Sequence, residues 1–364
     1  MIERIYIDNY RSFVNFEWKP GRLALMLGEN GSGKTHLVGA LAAIQDLVAF
    51  KGDTRQLFLP ASRTRWDQRT KQTFELDLRT AAGLYSYKLV IDFHPGDEQV
   101  NLVDWEALSL DGQALIEVEI GEVRLFGKDG RMASSYTMPW QHSGVGLAAS
   151  GDKNPALREF KQRLDACWFL HPDPRQMSAE VAKGDDWLRR DMDNFATWYL
   201  GMLQQKPGTM FKATQALQRS IPDLEDLGLD PHDKRRLLVS YGGDAPHSLA
   251  FDELSEGQRA LIALHSILHA LMVPGKTIIL DEPDNYVGLR EIQSWLDQVI
   301  DRCLEPGGPQ VWLISHHPEV LNPIACDHGW GFSRARQGPT RVARYQPHPG
   351  LTPAETQARG WQGA

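Results

Sequence analysis

The first fifty residues combine short apolar segments with one longer amphipathic stretch. Residues 2–8 and 22–27 are rich in apolar side chains and predict two strands, the second apolar enough to be buried inside a sheet. Apolar residues then recur at helical spacing from residue 33 to about residue 49, without a proline. The pattern therefore predicts a strand, a glycine-containing loop and a helix, in that order.

From about residue 72 to residue 128 the hydrophobic pattern changes to short segments that alternate between apolar and polar side chains. Thr73–Leu78 and Tyr87–Asp92 are examples, and turn pairs such as Asp111-Gly112 separate the segments. We expect an antiparallel β subdomain over about 72–140.

The next stretch mixes a loop, a strand and helices. Residues 141–154 are rich in glycine and small side chains and predict a mobile surface loop. Residues 167–170 are apolar and predict a buried strand. Over about 185–225 the apolar residues are spaced as in helices, with aromatic side chains such as Trp187 and Trp198 expected in the core.

The last third of the chain alternates between helical and strand patterns. A helix is predicted over 256–272, an apolar strand over 277–280, a second helix over 289–303 and a second apolar strand over 311–314. This alternation is typical of an α/β sheet. No internal repeat or heptad pattern is present.

The composition is that of an ordinary globular protein. Hydrophobic residues make up 42% and charged residues 24% of the 364 positions. No apolar run reaches the length of a membrane span, and the N-terminus lacks the apolar core of a signal peptide. The cysteines Cys167, Cys303 and Cys326 are scattered and odd in number. We therefore expect a cytoplasmic protein with no membrane partner.

The net charge of -8 excludes a general attraction to nucleic acid, so any such contact needs a local basic patch. No acidic residue occurs between Asp327 and Glu355, where two strand-like segments flank the turn at residues 337–340. These segments carry four arginines: Arg334, Arg336, Arg341 and Arg344. They form either a solvated hairpin or a nucleic-acid contact.

Gly28–Thr35 has the sequence Gly-Glu-Asn-Gly-Ser-Gly-Lys-Thr, between the predicted strand and helix. Its glycines let backbone N–H groups turn toward phosphates, at the positive end of the helix dipole. Lys34 is then expected to contact the β- and γ-phosphates, and the Thr35 hydroxyl to bind Mg²⁺. ATP is the expected ligand of this phosphate loop, with further contacts from Asn30, Gly31, Ser32 and Gly33.

A pair of carboxylates follows the predicted strand 277–280. Asp281 is suited to bind the magnesium ion, and Glu282 to act as the general base on the attacking water, because adjacent residues leaving a strand point in different directions. With the phosphate loop, this pair predicts ATP hydrolysis.

Two further motifs narrow the class. Leu254–Gln258 begins the predicted helix and resembles the Leu-Ser-Gly-Gly-Gln signature of ABC ATPases, departing from it at Glu256. His316 ends the last apolar strand, where that superfamily carries its switch histidine. Together with residues 5–13, the motif order resembles the RecF, SMC and OLD-like branch of ABC-type ATPases. It is most similar to short bacterial AAA-type predicted ATPases found in phage-defence systems.

The resemblance implies a P-loop α/β fold of ABC-ATPase type with an antiparallel β subdomain and an inserted helical subdomain. Residues 1–364 would form one ATPase domain, divided into an N-terminal lobe (1–171), a helical insertion (172–252) and a C-terminal lobe (253–364). In that superfamily two subunits sandwich two ATP molecules. The implied unit is a homodimer in which Ser255 and Gly257 act on the nucleotide bound by the partner's phosphate loop.

The resemblance implies roles for several other residues. Arg11 and Ser12 match a segment that contacts nucleotide, and Gln176 stands where a glutamine that binds the metal would lie. Gly288 occupies a position where relatives commonly carry Asp or His at the dimer seam, which puts communication between the two sites in doubt.

Three functions remain open from the sequence. The first is an ATPase whose dimerisation controls an effector such as a nuclease in DNA maintenance or anti-phage defence. The others are an ATP-loaded scaffold with little turnover and the ATPase subunit of a transporter. A long-armed DNA clamp is excluded, because about 220 residues without heptads separate Lys34 from Ser255.

Overall fold

The computed structural model describes residues 1–93, 101–149, 154–182, 187–232, 235–336 and 338–360. In chain order its strands are β1 (Ile2–Asp8), β2 (Phe16–Trp18), β3 (Leu23–Leu27), β4 (Lys71–Arg79), β5 (Leu84–Phe93), β6 (Asn101–Leu110), β7 (Gln113–Glu119), β8 (Glu122–Phe126), β9 (Met132–Thr137), β10 (Cys167–Leu170), β11 (Leu224–Leu229), β12 (Leu237–Tyr241), β13 (His247–Ala250), β14 (Thr277–Asp281), β15 (Gln310–Ile314), β16 (Gly329–Arg334) and β17 (Thr340–Arg344).

The α-helices are α1 (Lys34–Val48), α2 (Thr54–Leu57), α3 (Gly144–Leu147), α4 (Pro155–Asp165), α5 (Phe195–Gln205), α6 (Pro207–Leu217), α7 (Glu256–Ala270), α8 (Leu289–Leu304), α9 (Pro318–His328) and α10 (Pro353–Ala358). The predicted order of strand, loop and helix at the start of the chain is confirmed by β3 and α1. Within the described ranges, no helix is both long and apolar enough to cross a bilayer.

Six strands form the sheet that carries the sequence motifs. Its order is β10-β14-β15-β3-β16-β17, and the first five strands are parallel. β3, which precedes the phosphate loop, lies between β15 and β16 and is buried along its whole length. Because parallel strands end at the same edge of a sheet, the segments after β3, β14 and β15 meet there.

This sheet separates two hydrophobic cores. Leu25 on β3 faces the core that contains the helices α7, α8 and α9, whereas its neighbours Ala24 and Met26 face the core that contains α1 and an antiparallel sheet. Successive side chains of a strand point to opposite faces, so every central strand must be apolar on both sides. This burial on both faces explains why the central strands are continuous apolar runs in the sequence.

The second sheet has eight strands in the order β2-β1-β4-β5-β6-β7-β8-β9. The antiparallel pairing predicted after residue 72 is confirmed, and β4 alternates between buried and less buried side chains along its length. The N-terminal strand belongs to the same sheet, because Ile5 pairs with Leu76 and Ile7 with Phe74. The β region is therefore continuous with the first strand of the chain.

The prediction of a mobile surface loop over 141–154 is wrong for its first part. Ser143 and Val145 are buried, and α3 begins between them. The carboxylate of Glu106, fully buried on β6, accepts hydrogen bonds from the Ser143 hydroxyl and from the N–H groups of Gly144 and Val145. This carboxylate holds residues 143–145 in place, and the glycine-rich composition of the segment gives no indication of such contacts. Residues 150–153 of the predicted loop lie outside the described part of the chain.

The prediction of a helical insertion over 172–252 also needs correction. The region contains α5 and α6, but it continues into a three-stranded antiparallel sheet of β11, β12 and β13. Leu237 and Val239 alternate with less buried residues along β12 and pack into the core. These strands are short, so the alternation of apolar and polar residues covers too few positions to predict them. The helical spacing of aromatic residues before them was therefore extended over the whole region.

Candidate functional site

The phosphate loop has two glycines with positive φ at which a Cβ would also meet a neighbouring atom. Gly28 has φ of 147°, and a Cβ at this position would overlap the carbonyl oxygen of Phe332. Gly33 has φ of 108°, and its Cβ would lie 2.7 Å from the Thr340 hydroxyl. Both φ values lie in the region that side chains rarely adopt. The loop backbone therefore packs closely against Phe332 and Thr340, with no room for a side chain at these two positions.

A buried pair of hydroxyl groups supports the loop from behind. The Ser12 and Thr340 hydroxyls are 2.8 Å apart, and Thr340 also donates to the carbonyl oxygen of Ser32 at 2.8 Å. Ser12 is 1% and Thr340 0% exposed. The structure thus places Ser12 under the loop, away from its open face. Thr340, at the start of β17, was missed from the sequence because a lone threonine at a strand end carries no signal.

Lys34 is the first residue of α1 and is buried at the centre of the loop. Its ammonium donates to the carbonyl oxygen of Gly28 at 2.6 Å and to that of Glu29 at 3.2 Å. Burial lowers the pKa of Lys34, and the nearby charges of Asp281 and Glu282 oppose that shift. The lysine is thus held among carbonyl oxygens beside the two predicted carboxylates.

The structure brings Thr35 and Asp281 together across the edge of the sheet. The Thr35 hydroxyl donates to the Asp281 carboxylate at 3.4 Å, and His171 Nδ1 lies 3.0 Å from the Asp281 carbonyl oxygen. Burial raises the pKa of Asp281. A hydroxyl and a carboxylate are the hard oxygen ligands that Mg²⁺ takes beside nucleotide phosphates. The two residues therefore fit the predicted magnesium site.

Glu282 has an unusual backbone for a non-glycine residue, with φ of 52°. Its N–H donates to the carbonyl oxygen of Ile314 at 2.8 Å, and its carboxylate accepts a hydrogen bond from Asn285 at 2.9 Å. Strained conformations of this kind persist where surrounding contacts hold them, often at functional sites. Glu282 lines one cavity together with Lys34 and Thr35.

His316 follows β15 on the same edge. Gln357, on α10, reaches its Nδ1 at 2.5 Å. Burial, followed by the charge of Lys34, lowers the pKa of the imidazole. The neutral form of His316 is therefore favoured, with one ring nitrogen available as a donor.

A single cavity of about 160 Å³ collects these side chains. It is lined by Asn30, Gly31, Ser32, Gly33, Lys34, Thr35, His36, Asp281, Glu282, Ile314 and His316. The sequence identified nine of these residues: every one except His36 and Ile314. Three segments far apart in the chain thus converge on one site with a cation, two carboxylates and two imidazoles.

The signature segment lies elsewhere on the molecule. Ser255 is exposed and caps α7, where its hydroxyl accepts from the Gln258 N–H at 3.2 Å. Gly257 lines a separate cavity of about 280 Å³ with Gln258 and Gly288. Neither Ser255 nor Gly257 lines the cavity at the phosphate loop of its own chain.

Two residues with predicted nucleotide or metal roles also lie outside that cavity. Arg11 has φ of 53° and donates to the carbonyl oxygen of Ala61 at 3.0 Å. Gln176 is exposed, and its amide donates to Asp173 at 3.0 Å. The structure does not bring either one to Lys34 or Asp281.

The four arginines near the C-terminus divide into two places. Arg334 and Arg336 line a second cavity of about 720 Å³ beside the phosphate loop, and the Arg334 guanidinium lies 5.2 Å from the ring centre of Trp66. Arg341 and Arg344 lie on β17, where they donate to the carbonyl oxygens of Val14 and Asp327. Gln337, in the predicted turn, lies outside the described residues.

Comparison with solved structures finds the same fold in SMC head domains. The SMC head domain from Thermotoga maritima is 12% identical, with a TM-score of 0.50 over 95% of this chain and 99% of that one. An SmcHead bound to the C-winged helix domain of ScpA is 13% identical, with a TM-score of 0.52 over 94% and 96%. An Smc head domain with an extended coiled coil, bound to the C-terminal domain of ScpA derived from Pyrococcus furiosus, is 12% identical, with a TM-score of 0.52 over 94% and 95%.

No protein-family model matches the chain, and no curated protein matches it either. At these identities the structural likeness concerns the fold alone, which is that of the SMC head domains.

Proposed function

We propose that this protein binds and hydrolyses ATP, and that ATP joins two copies into a closed dimer. The observation that carries the proposal is the convergence of Lys34, Thr35, Asp281, Glu282 and His316 on one cavity. Each supplies a chemical group that phosphoryl transfer to water requires. The similarity of the fold to SMC head domains supports the same class of activity.

Each residue has a distinct part in the proposed reaction. Lys34 and the backbone amides of the phosphate loop stabilise the negative charge of the β- and γ-phosphates. Thr35 and Asp281 would hold Mg²⁺, which would neutralise part of the negative charge of the phosphates. Glu282 accepts a proton from the attacking water, and the neutral His316 donates a hydrogen bond to the γ-phosphate.

The signature segment completes the site from a second copy. Ser255 and the N-terminus of α7 are exposed and lie outside the cavity of their own chain, yet they present a hydroxyl and a positive helix end suited to a phosphate. A symmetric pair of chains would place each signature segment over the other chain's phosphate loop. ATP then favours the closed state because only that state contacts the γ-phosphate from both sides.

The biological role that we propose is control of a separate effector, such as a nuclease, in DNA maintenance or anti-phage defence. Two of the similar SMC heads are in complex with parts of ScpA, so the fold is one that binds partner proteins. Hydrolysis would return the closed dimer to open monomers and so limit how long the dimer acts on the effector.

We also propose a nucleic-acid contact through the four C-terminal arginines, Arg334, Arg336, Arg341 and Arg344. Stimulation of phosphate release by DNA tests this contact, and Arg341→Glu with Arg344→Glu should abolish the stimulation while basal release remains. Equal stimulation of the variant and the wild type would contradict it.

The Glu282→Gln variant tests the ATPase dimer. Without the general base, ATP should persist in the closed state, and light scattering should give twice the monomer mass of 41.0 kDa with ATP and Mg²⁺. The same variant with Lys34→Ala is the control and should stay monomeric. A Glu282→Gln protein that stays monomeric at millimolar ATP would contradict the proposal, and dimerisation without any wild-type phosphate release would favour the scaffold.

A further inference from the structure

The signature helix begins with a negative charge that the proposed dimer would place near a polyphosphate. Glu256 is the first residue of α7, directly after the cap Ser255. Within one chain a carboxylate here stabilises the helix, because it faces the positive end of the dipole. Opposite the γ-phosphate of a second chain's nucleotide, the same carboxylate is repelled. Closure of the dimer therefore needs a nearby cation.

Arg175 supplies that cation. Its Nε lies 3.2 Å from the Glu256 carboxylate, and its guanidinium lies 4.9 Å from the ring centre of Tyr286. The planar guanidinium can donate to a carboxylate in its plane and stack on an aromatic face at the same time. Arg175 follows β10, so it links a third segment to the signature helix and to Tyr286.

Tyr286 connects this cluster to the catalytic carboxylate. Its carbonyl oxygen lies 2.8 Å from the position of a Cβ on Gly257, so the two backbones pack closely. Four residues earlier, Glu282 accepts a hydrogen bond from the intervening Asn285. Glu282 and Tyr286 both have positive φ, at 52° and 73°. The short segment therefore runs from the chain's own ATP site to its own signature helix.

We propose that Arg175 is a positioning residue that offsets the charge of Glu256 and holds the signature helix against the segment after Glu282. The inference rests on the proposed ATP dimer. It gives the two composite sites a physical route of communication that does not use Gly288. An exposed ion pair contributes little to folding stability, so the effect is expected in dimerisation.

The test is a double-mutant cycle in the Glu282→Gln protein, with sedimentation velocity measuring the ATP concentration that gives half-maximal dimer. Arg175→Ala should raise that concentration about tenfold, within the usual range of coupling between sites. In a Glu256→Gln background the charge to be offset is gone, and Arg175→Ala should raise it only about twofold. Binding of a fluorescent ATP analogue to dilute monomers should be unchanged.

Arg189→Ala is the matched control. Arg189 forms an ion pair with Asp193 at 3.1 Å, and the two side chains have exposed fractions similar to those of Arg175 and Glu256. Its removal should leave dimerisation unchanged. An Arg175→Ala penalty that is absent, or equally large with and without the Glu256→Gln substitution, would overturn the inference while leaving the ATP dimer intact. A parent protein that stays monomeric at all ATP concentrations would overturn both.

Discussion

The phosphate loop and the N-terminus of the signature helix are supported in different ways within one chain. The loop is fixed from below by the buried hydroxyls of Ser12 and Thr340, and Lys34 is buried at its centre. Ser255 and Glu256 stand at an exposed helix end, supported by a capping box and by the exposed guanidinium of Arg175. We infer from this difference that contacts within one chain hold the nucleotide-binding half rigid, whereas the signature half would gain its full set of contacts only in the proposed dimer.

The largest effect should follow from a substitution that distorts the rigid half. Gly33→Ala places a methyl group 2.7 Å from the Thr340 hydroxyl at φ of 108°. Backbone strain of this kind costs about 1–3 kcal/mol, and the displaced loop amides should lower ATP affinity by at least about tenfold. Titration with a fluorescent ATP analogue measures the loss.

Gly31→Ala is the control for that variant. Gly31 also has a positive φ, 81°, but nothing lies within 4 Å of its added Cβ. We expect a smaller loss of affinity, because only the strain remains. Equal losses of ATP affinity for both glycine variants would show that packing against Thr340 does not hold the loop. They would contradict the distinction between a rigid nucleotide-binding half and an exposed signature half.

A smaller effect is expected at the signature half. Ser255→Ala removes the cap of α7 and should lower the free energy of unfolding by about 1 kcal/mol. ATP affinity of the monomer should stay unchanged, since Ser255 lies outside the cavity at its own phosphate loop. ATP-dependent dimerisation should weaken. Thermal unfolding and sedimentation measure the two quantities separately.

Asn154→Ala is a matched control, because the Asn154 side chain caps α4 by accepting a hydrogen bond from the Leu157 N–H. It should cost a similar free energy of unfolding, about 1 kcal/mol, and leave dimerisation unchanged. If both variants weaken the dimer to the same degree, the effect of Ser255 is one of helix stability, and its role across the dimer is contradicted.

The same contrast explains what the sequence could predict. The phosphate loop, Asp281, Glu282 and His316 follow buried strands, and local hydrophobic pattern and motif spacing locate such positions. Parallel strands then bring them to one edge without further information. For this reason most of the residues that line the cavity at the phosphate loop could be located from the sequence, whereas their roles stay a prediction.

The missed features depend on contacts between distant residues. Thr340 supports Ser32 across 308 positions, and Glu106 fixes Ser143 across 37. A single polar side chain in such a contact creates no periodicity in its own segment. Arg175 was likewise overlooked in favour of its neighbour Gln176, because only the folded chain shows which of the two reaches Glu256.

The most direct test of a site shared between two chains mixes two inactive variants. Lys34→Ala removes the phosphate-loop half, and Ser255→Arg blocks the signature half, so each alone should release almost no phosphate. In an equal mixture, only a dimer that pairs one of each contains an intact site, and that site is one of two, so phosphate release should rise clearly above that of either variant, to at most about half of the wild-type rate. A mixture as inactive as its components, or an active Ser255→Arg protein on its own, would contradict a site shared between two chains.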